Sequence, residues 1–192
     1  MVLYAASQYG TSFVDDGIRA SQRMTGQSSG LVGLTPAEEP THSYDIRVWP
    51  DGHARAIEAK PFFVRQFDPI TASPRVRLRR VPCSEAQEEA VWNELLRHVG
   101  QLYDFAGVAL LGADLVLRHP WSINKTTHRV FCSAICMMAW RAAGVPILGT
   151  TPPDMVCPAL HEFGQDAEGW PVEARSIPRL LADAARGVAV PV

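Results

Sequence analysis

Apolar and polar residues change their spacing along the chain, and the changes mark out its elements. Residues 2–6 form a short apolar run, and residues 12–24 follow with helical spacing. Residues 26–40 then carry glycine, serine and proline at loop density. Residues 41–49 read as a strand, Pro50-Asp51-Gly52 interrupts it, and an extended stretch resumes over residues 53–64. Proline suits the first corner of a type I turn, aspartate the second, and glycine the left-handed position that closes a three-residue hairpin loop. Such a loop pairs Trp49 with His53 and sets residue 42 opposite residue 60. Residue 58 then shares a face with residue 42, diagonal to it at roughly 7 Å. A loop one residue shorter would send the two to opposite faces.

Further along, Arg75-Val76-Arg77-Leu78-Arg79-Arg80 alternates as a strand with arginines on one face. A solvated edge strand is the expectation, since edge charges discourage pairing with other chains; binding of an anionic group is the alternative. Ser84 and Gln87 form a capping box that opens a helix running to about Val99, with Gly100 just past its end. Residues 105–117 read as an apolar helix stopped by Pro120. After a brief lead-in at His128-Arg129-Val130-Phe131, a helix begins at Cys132 and is apolar on nearly every side through Trp140, until Gly144 and Pro146 end it. A helix of that kind belongs at the centre of a domain. The tail supplies a short helix over Ile177–Ala185, expected to pack across the outside.

Composition narrows the class. With 192 residues, 47% of them hydrophobic, and a net charge of −2, the chain is predicted to fold as one domain spanning residues 1–192 rather than remain disordered. Fifteen prolines and fourteen glycines argue for a mixed α+β fold with many turns over a helical bundle. Near-cancelling charges give no expectation of nucleic-acid binding. The apolar stretch 105–117 is broken by Asp114 and too short to span a bilayer, so no stable membrane insertion is expected. Met1-Val2-Leu3-Tyr4 runs into Ser7-Gln8-Tyr9 without a basic region, which reads as no secretory signal and a cytoplasmic location, with release by another route left open. Four irregularly spaced cysteines are expected as thiols rather than as a disulfide framework.

Candidate chemistry centres on Cys132. At the start of a buried helix, unpaired N–H groups and the positive end of the dipole favour a thiolate, and the same N–H groups could hold an oxyanion. His42 sits on a strand face with Tyr44, Ile46 and Val48, read as the core side, while Ser43, Asp45, Arg47 and Trp49 are read as pointing away. A buried imidazole needs a partner, and Glu58 can accept from one ring nitrogen while the other faces the thiol. Cys132 as a small core residue is the plain alternative.

With those residues in place, the chain resembles the circularly permuted NlpC/P60-type cysteine hydrolases, of papain-like fold. Thr41-His42 followed by Ile57-Glu58-Ala59 is similar to that family's histidine strand and orienting residue. Phe131-Cys132-Ser133 running into Ala139-Trp140-Arg141-Ala142-Ala143-Gly144-Val145 resembles its nucleophile helix. Tyr103-Asp104-Phe105 resembles a segment that members often carry before that helix, and residues 2–26 resemble their opening strand and helix. The resemblance implies a central antiparallel sheet or small barrel packed against the cysteine helix. It also implies hydrolysis of an amide, often in cell-wall peptides, or of an ester, through a Cys132-His42-Glu58 triad and a thioacyl intermediate. Lipid acyltransferases or thioesterases occur in related branches. Tyr103, Asp104 and Ser133 are then candidates for binding a peptide or acylated small-molecule substrate.

Two rivals stay open. His128, Cys132 and Cys136 are spaced four apart and could ligate zinc, although no compact fourth ligand is evident. A noncatalytic binding or structural module would keep the fold without the chemistry. The hydrolase reading needs no metal and no cofactor, and nothing in the sequence sets an oligomeric state. The remaining histidines, 53, 98, 119, 128 and 161, read as surface or capping residues, Cys136 as core, and Cys157 as part of a proline-rich loop.

Overall fold

A computed structural model describes residues 1–10, 13–24, 39–60, 62–71, 75–104, 129–130 and 132–188. The expected loop over residues 26–40 falls almost wholly outside these, and the expected helix over 105–117, together with His128 and Phe131, lies wholly outside them. The fold is α+β. Its strands are β1 (Val2–Gln8), β2 (His42–Val48), β3 (Ala54–Ala59), β4 (Val64–Phe67), β5 (Val76–Arg80), β6 (Leu102–Tyr103), β7 (Arg129–Val130) and β8 (Val172–Glu173). Its helices are α1 (Phe13–Met24), α2 (Glu85–His98), α3 (Cys132–Ala142), α4 (Pro158–Ala167) and α5 (Ile177–Ala185). Six strands form one antiparallel sheet in the order β4-β3-β2-β1-β5-β8, and β6 and β7 pair in parallel beside it. Among the described residues, no helix is long and apolar enough to cross a membrane.

The β2–β3 ribbon has the register its turn dictates. The Trp49 N–H donates to the His53 carbonyl, the Gly52 N–H closes the turn onto Trp49, and Tyr44 faces Glu58 across the ribbon. Gly52 takes φ +83°, and a Cβ there would lie 2.6 Å from the Ala185 Cβ and 2.9 Å from the Leu181 carbonyl oxygen. Gly52→Ala therefore combines a left-handed backbone penalty with a clash against α5. It should lower stability by about 2–3 kcal/mol in urea denaturation; an unchanged midpoint would mean that the turn relaxes freely.

Both faces of the sheet are covered. On one, Leu3, Ala5, Ile57 and Ala59 pack under α2 and α3; on the other, Tyr4, Ala6, Tyr44, Ile46 and Val48 pack under α5. The expectation that Ser43, Asp45 and Arg47 point away from the core is thus corrected. All three are buried, on the side of the sheet that receives α3. Alternation told the faces apart, but a two-sided sheet offers no wet face. Helix α3 is the central helix its composition demands, with every residue from Cys132 to Trp140 buried except Met138. Helix α2 carries the full Ser84–Gln87 capping box, and Gly100 follows it with φ +88°.

Four other expectations change. The stretch 53–64 is not one strand: β3 ends at Ala59, the chain reverses, and β4 returns antiparallel with Ala59 opposite Val64 and Glu58 opposite Arg65. Strand β5 is not the edge, since β8 pairs outside it. Its arginines are tied down instead: Arg77 donates to Glu162 at 2.9 Å, and buried Arg79 donates to Asp166 and to the Trp170 carbonyl. Helix α4 was not anticipated, and Cys157, read as a loop residue, is its N-cap, accepting from the Leu160 N–H at 3.4 Å. His161 of α4 is not a surface residue. It is 1% exposed and stacks on Trp140 with ring centroids 4.5 Å apart, and burial drives its imidazole down to about 3, so it stays neutral.

Candidate active site

Cys132 occupies the first position of α3, and His42 the first position of β2; the two ends come close enough for imidazole and thiol to act on each other's charge. His42 Nε2 lies 2.9 Å from Glu58 Oε2, so the other ring nitrogen is left for the thiol. This is the diagonal contact on one face that the three-residue loop implies. Glu58 is fully buried and accepts at its second oxygen, Oε1, from Arg65 Nε at 2.8 Å, with an η nitrogen of the same guanidinium paired to that oxygen at 2.7 Å. Lys60 Nζ stands 3.4 Å from the same oxygen.

The electrostatics favour an ion pair. Burial alone would push the Cys132 thiol up, but the charge and hydrogen bond of His42, with the N–H groups of Ser43 and Ser133, bring it below its ordinary value. The dipole of α3 acts in the same direction. Burial disfavours the imidazolium of His42, yet the charges and hydrogen bonds of Cys132 and Glu58 raise it to about 9. Glu58 is pushed up by burial and pulled down more strongly by His42, Arg65 and Lys60, so it remains a carboxylate. Sulfur, imidazole and carboxylate therefore lie in a row, the order in which a nucleophile, a base and an orienting group would be needed.

The other sequence-predicted residues divide. Tyr103 stands close enough to Cys132 for the sulfur's charge to act on its phenol. Burial, reinforced by Cys132 and Asp104, keeps that phenol protonated. Strand β6 holds it there: the Tyr103 N–H donates to the Phe62 carbonyl and Phe63 bridges to Leu102. Asp104 is buried next to it. Ser133 is fully buried and its hydroxyl donates to the Val156 carbonyl, so its side chain faces the fold while its backbone N–H faces the sulfur. Cys136 lies one turn below Cys132, against Asp45.

Sequence reasoning missed Arg65 and Lys60, because it ran one strand through residue 64. Pro61 was the available signal: proline interrupts a strand's hydrogen bonding, and a turn there sets opposite charges at Glu58 and Arg65 across a new pair. Arg65 is further steadied by its guanidinium lying 5.5 Å from the centroid of Phe67, whose ring packs edge-on against Tyr44. Compared with models of known protein families and with curated proteins, the chain matches none.

Proposed function

We propose that this protein is a cysteine hydrolase of papain-like, permuted NlpC/P60 type that cleaves an amide or ester bond. The reading rests above all on one observation: the sulfur at the head of buried α3 lies within electrostatic reach of an imidazole whose Nε2 is held by a buried carboxylate. In the first half-reaction the Cys132 thiolate attacks the substrate carbonyl. The oxyanion is met by backbone N–H groups at the start of α3, and the His42 imidazolium passes its proton to the departing amine or alcohol. In the second, His42 takes a proton from water, the hydroxide displaces the thiolate from the thioester, and a carboxylic acid leaves. Acyl transfer to another nucleophile would share the first half. Peptides, including cell-wall peptides, are the substrate class to assay first, followed by acylated lipids and thioesters.

Alkylation tests the reading without a known substrate. Iodoacetamide at pH 6.5 should modify Cys132 ahead of Cys83, Cys136 and Cys157, as read by peptide mapping. His42→Ala should slow that modification by about tenfold or more. If Cys132 reacts only after unfolding, or at the same rate without the imidazole, it is a packing residue and the chain a noncatalytic module.

A further inference from the structure

We infer that Arg65 is a positioning residue of this site: it grips one oxygen of Glu58 so that the other is held against His42. The inference rests on the hydrolase reading and extends the row of acting groups by one member. Glu58 is 0% exposed, and a buried carboxylate is fixed in orientation only if both of its oxygens are engaged. Here the labour is divided. Among the described residues Oε2 is engaged by His42, while Oε1 accepts from Arg65 Nε and is paired with an η nitrogen of the same guanidinium. A planar guanidinium that donates through Nε and sets a second nitrogen against the same oxygen defines a direction, which a single ammonium cannot do. Lys60 at 3.4 Å contributes charge without that geometry.

Placement of the guanidinium is itself determined. Glu58 and Arg65 are directly paired across the β3–β4 ribbon, and the Phe67 ring lies beneath the cation. Phe67 packs on Tyr44, and Tyr44 lies beside His42 with ring centroids 5.8 Å apart. Glu58 from β3 and Cys132 from α3 act on the imidazole directly, Tyr44 of β2 lies beside it, Arg65 from β4 and Lys60 beyond β3 act on Glu58, and Tyr103 with Asp104 lies near Cys132 from the β6 side. Arg65 thus reaches His42 through another residue by a directed bond. The guanidinium is about half exposed, so small cations can reach the space it would leave.

The experiment is a double-mutant cycle read by iodoacetamide alkylation of Cys132 across pH 5–10, on the full chain. Arg65→Ala should slow alkylation at pH 7 about fivefold, but less than twofold when Glu58 is already glutamine, because its effect passes through that carboxylate. Millimolar methylguanidinium should restore most of the rate to Arg65→Ala and none to Glu58→Gln. Arg65→Lys, which preserves charge and folding, should fall between. Lys60→Met should change the rate less than Arg65→Ala does. Equal effects of Arg65→Ala in both backgrounds, or of Lys60→Met and Arg65→Ala, would overturn the inference. A wild-type Cys132 that is inert, or indifferent to His42→Ala, would instead defeat the hydrolase reading.

Discussion

On the proposed hydrolase reading, hydrolysis of a susceptible amide or ester should fall by about 10³-fold or more in Cys132→Ala, and by a comparable factor in His42→Ala. Glu58→Gln costs less, about 10- to 100-fold, because glutamine can still accept from the imidazole but no longer offsets its charge. The two large losses are not additive: in the double variant the second change finds nothing left to disable. The pH profile carries the same information. Activity requires sulfur deprotonated and imidazole protonated, so it rises through the lowered Cys132 thiol and falls as the pH passes about 9, where His42 gives up its proton. In Glu58→Gln the alkaline limb moves to lower pH, since a partner that raised His42 has lost its charge. Full activity in His42→Ala would refute the assigned roles.

Asp45→Asn stabilises the protein at pH 8 by about 2–4 kcal/mol and does little at pH 4. Asp45 is fully buried between β2 and α3, facing the Cys136 thiol and the Trp140 indole, and neither carboxylate oxygen makes a full hydrogen bond among the described residues. Burial pushes it from 3.8 up to about 7, against the opposing pull of Cys136 and Trp140. Its folded value lies above its unfolded one, so the folded state holds the extra proton between them. Stability from this group is present below 3.8 and is lost as pH rises towards 7. His161 runs the other way: its imidazole is lowered to about 3, and stability is lost as pH falls below 6.5. That loss is common to wild type and variant and cancels in their difference. Urea denaturation of both proteins from pH 4 to 8 measures the divergence, and a constant difference across that range would show that Asp45 ionises freely in the fold.

Much of the scaffold could be read from local rules. The Pro50-Asp51-Gly52 loop fixes the β2–β3 register, and with it the His42–Glu58 contact, because a three-residue turn leaves only one pairing parity. The Ser84–Gln87 box and the apolar circumference of α3 likewise require only neighbours in the chain or the helical period. Helix α4 was hidden because its pattern is mixed: Arg77 and Arg79 supply partners for Glu162 and Asp166 from a strand more than 80 residues away. Those same partners tie an arginine strand that looks solvated to α4, with Arg79 buried and Arg77 still exposed.

What the sequence by itself determined is therefore the β2–β3 ribbon and its register, the capped start of α2 and the position of a cysteine at the head of a buried helix, since turn chemistry, capping and hydrophobic period act over a few residues. Tertiary structure alone decided that the head of α3 arrives at the first residue of β2, that both sheet faces are covered, and that Arg65 returns on β4 to hold Glu58. These are meetings between segments distant in the chain or turned back by a reversal that no local pattern encodes. The pKa shifts that make the site an ion pair follow from those meetings, because charge interactions depend on separation in space and on burial rather than on spacing along the backbone.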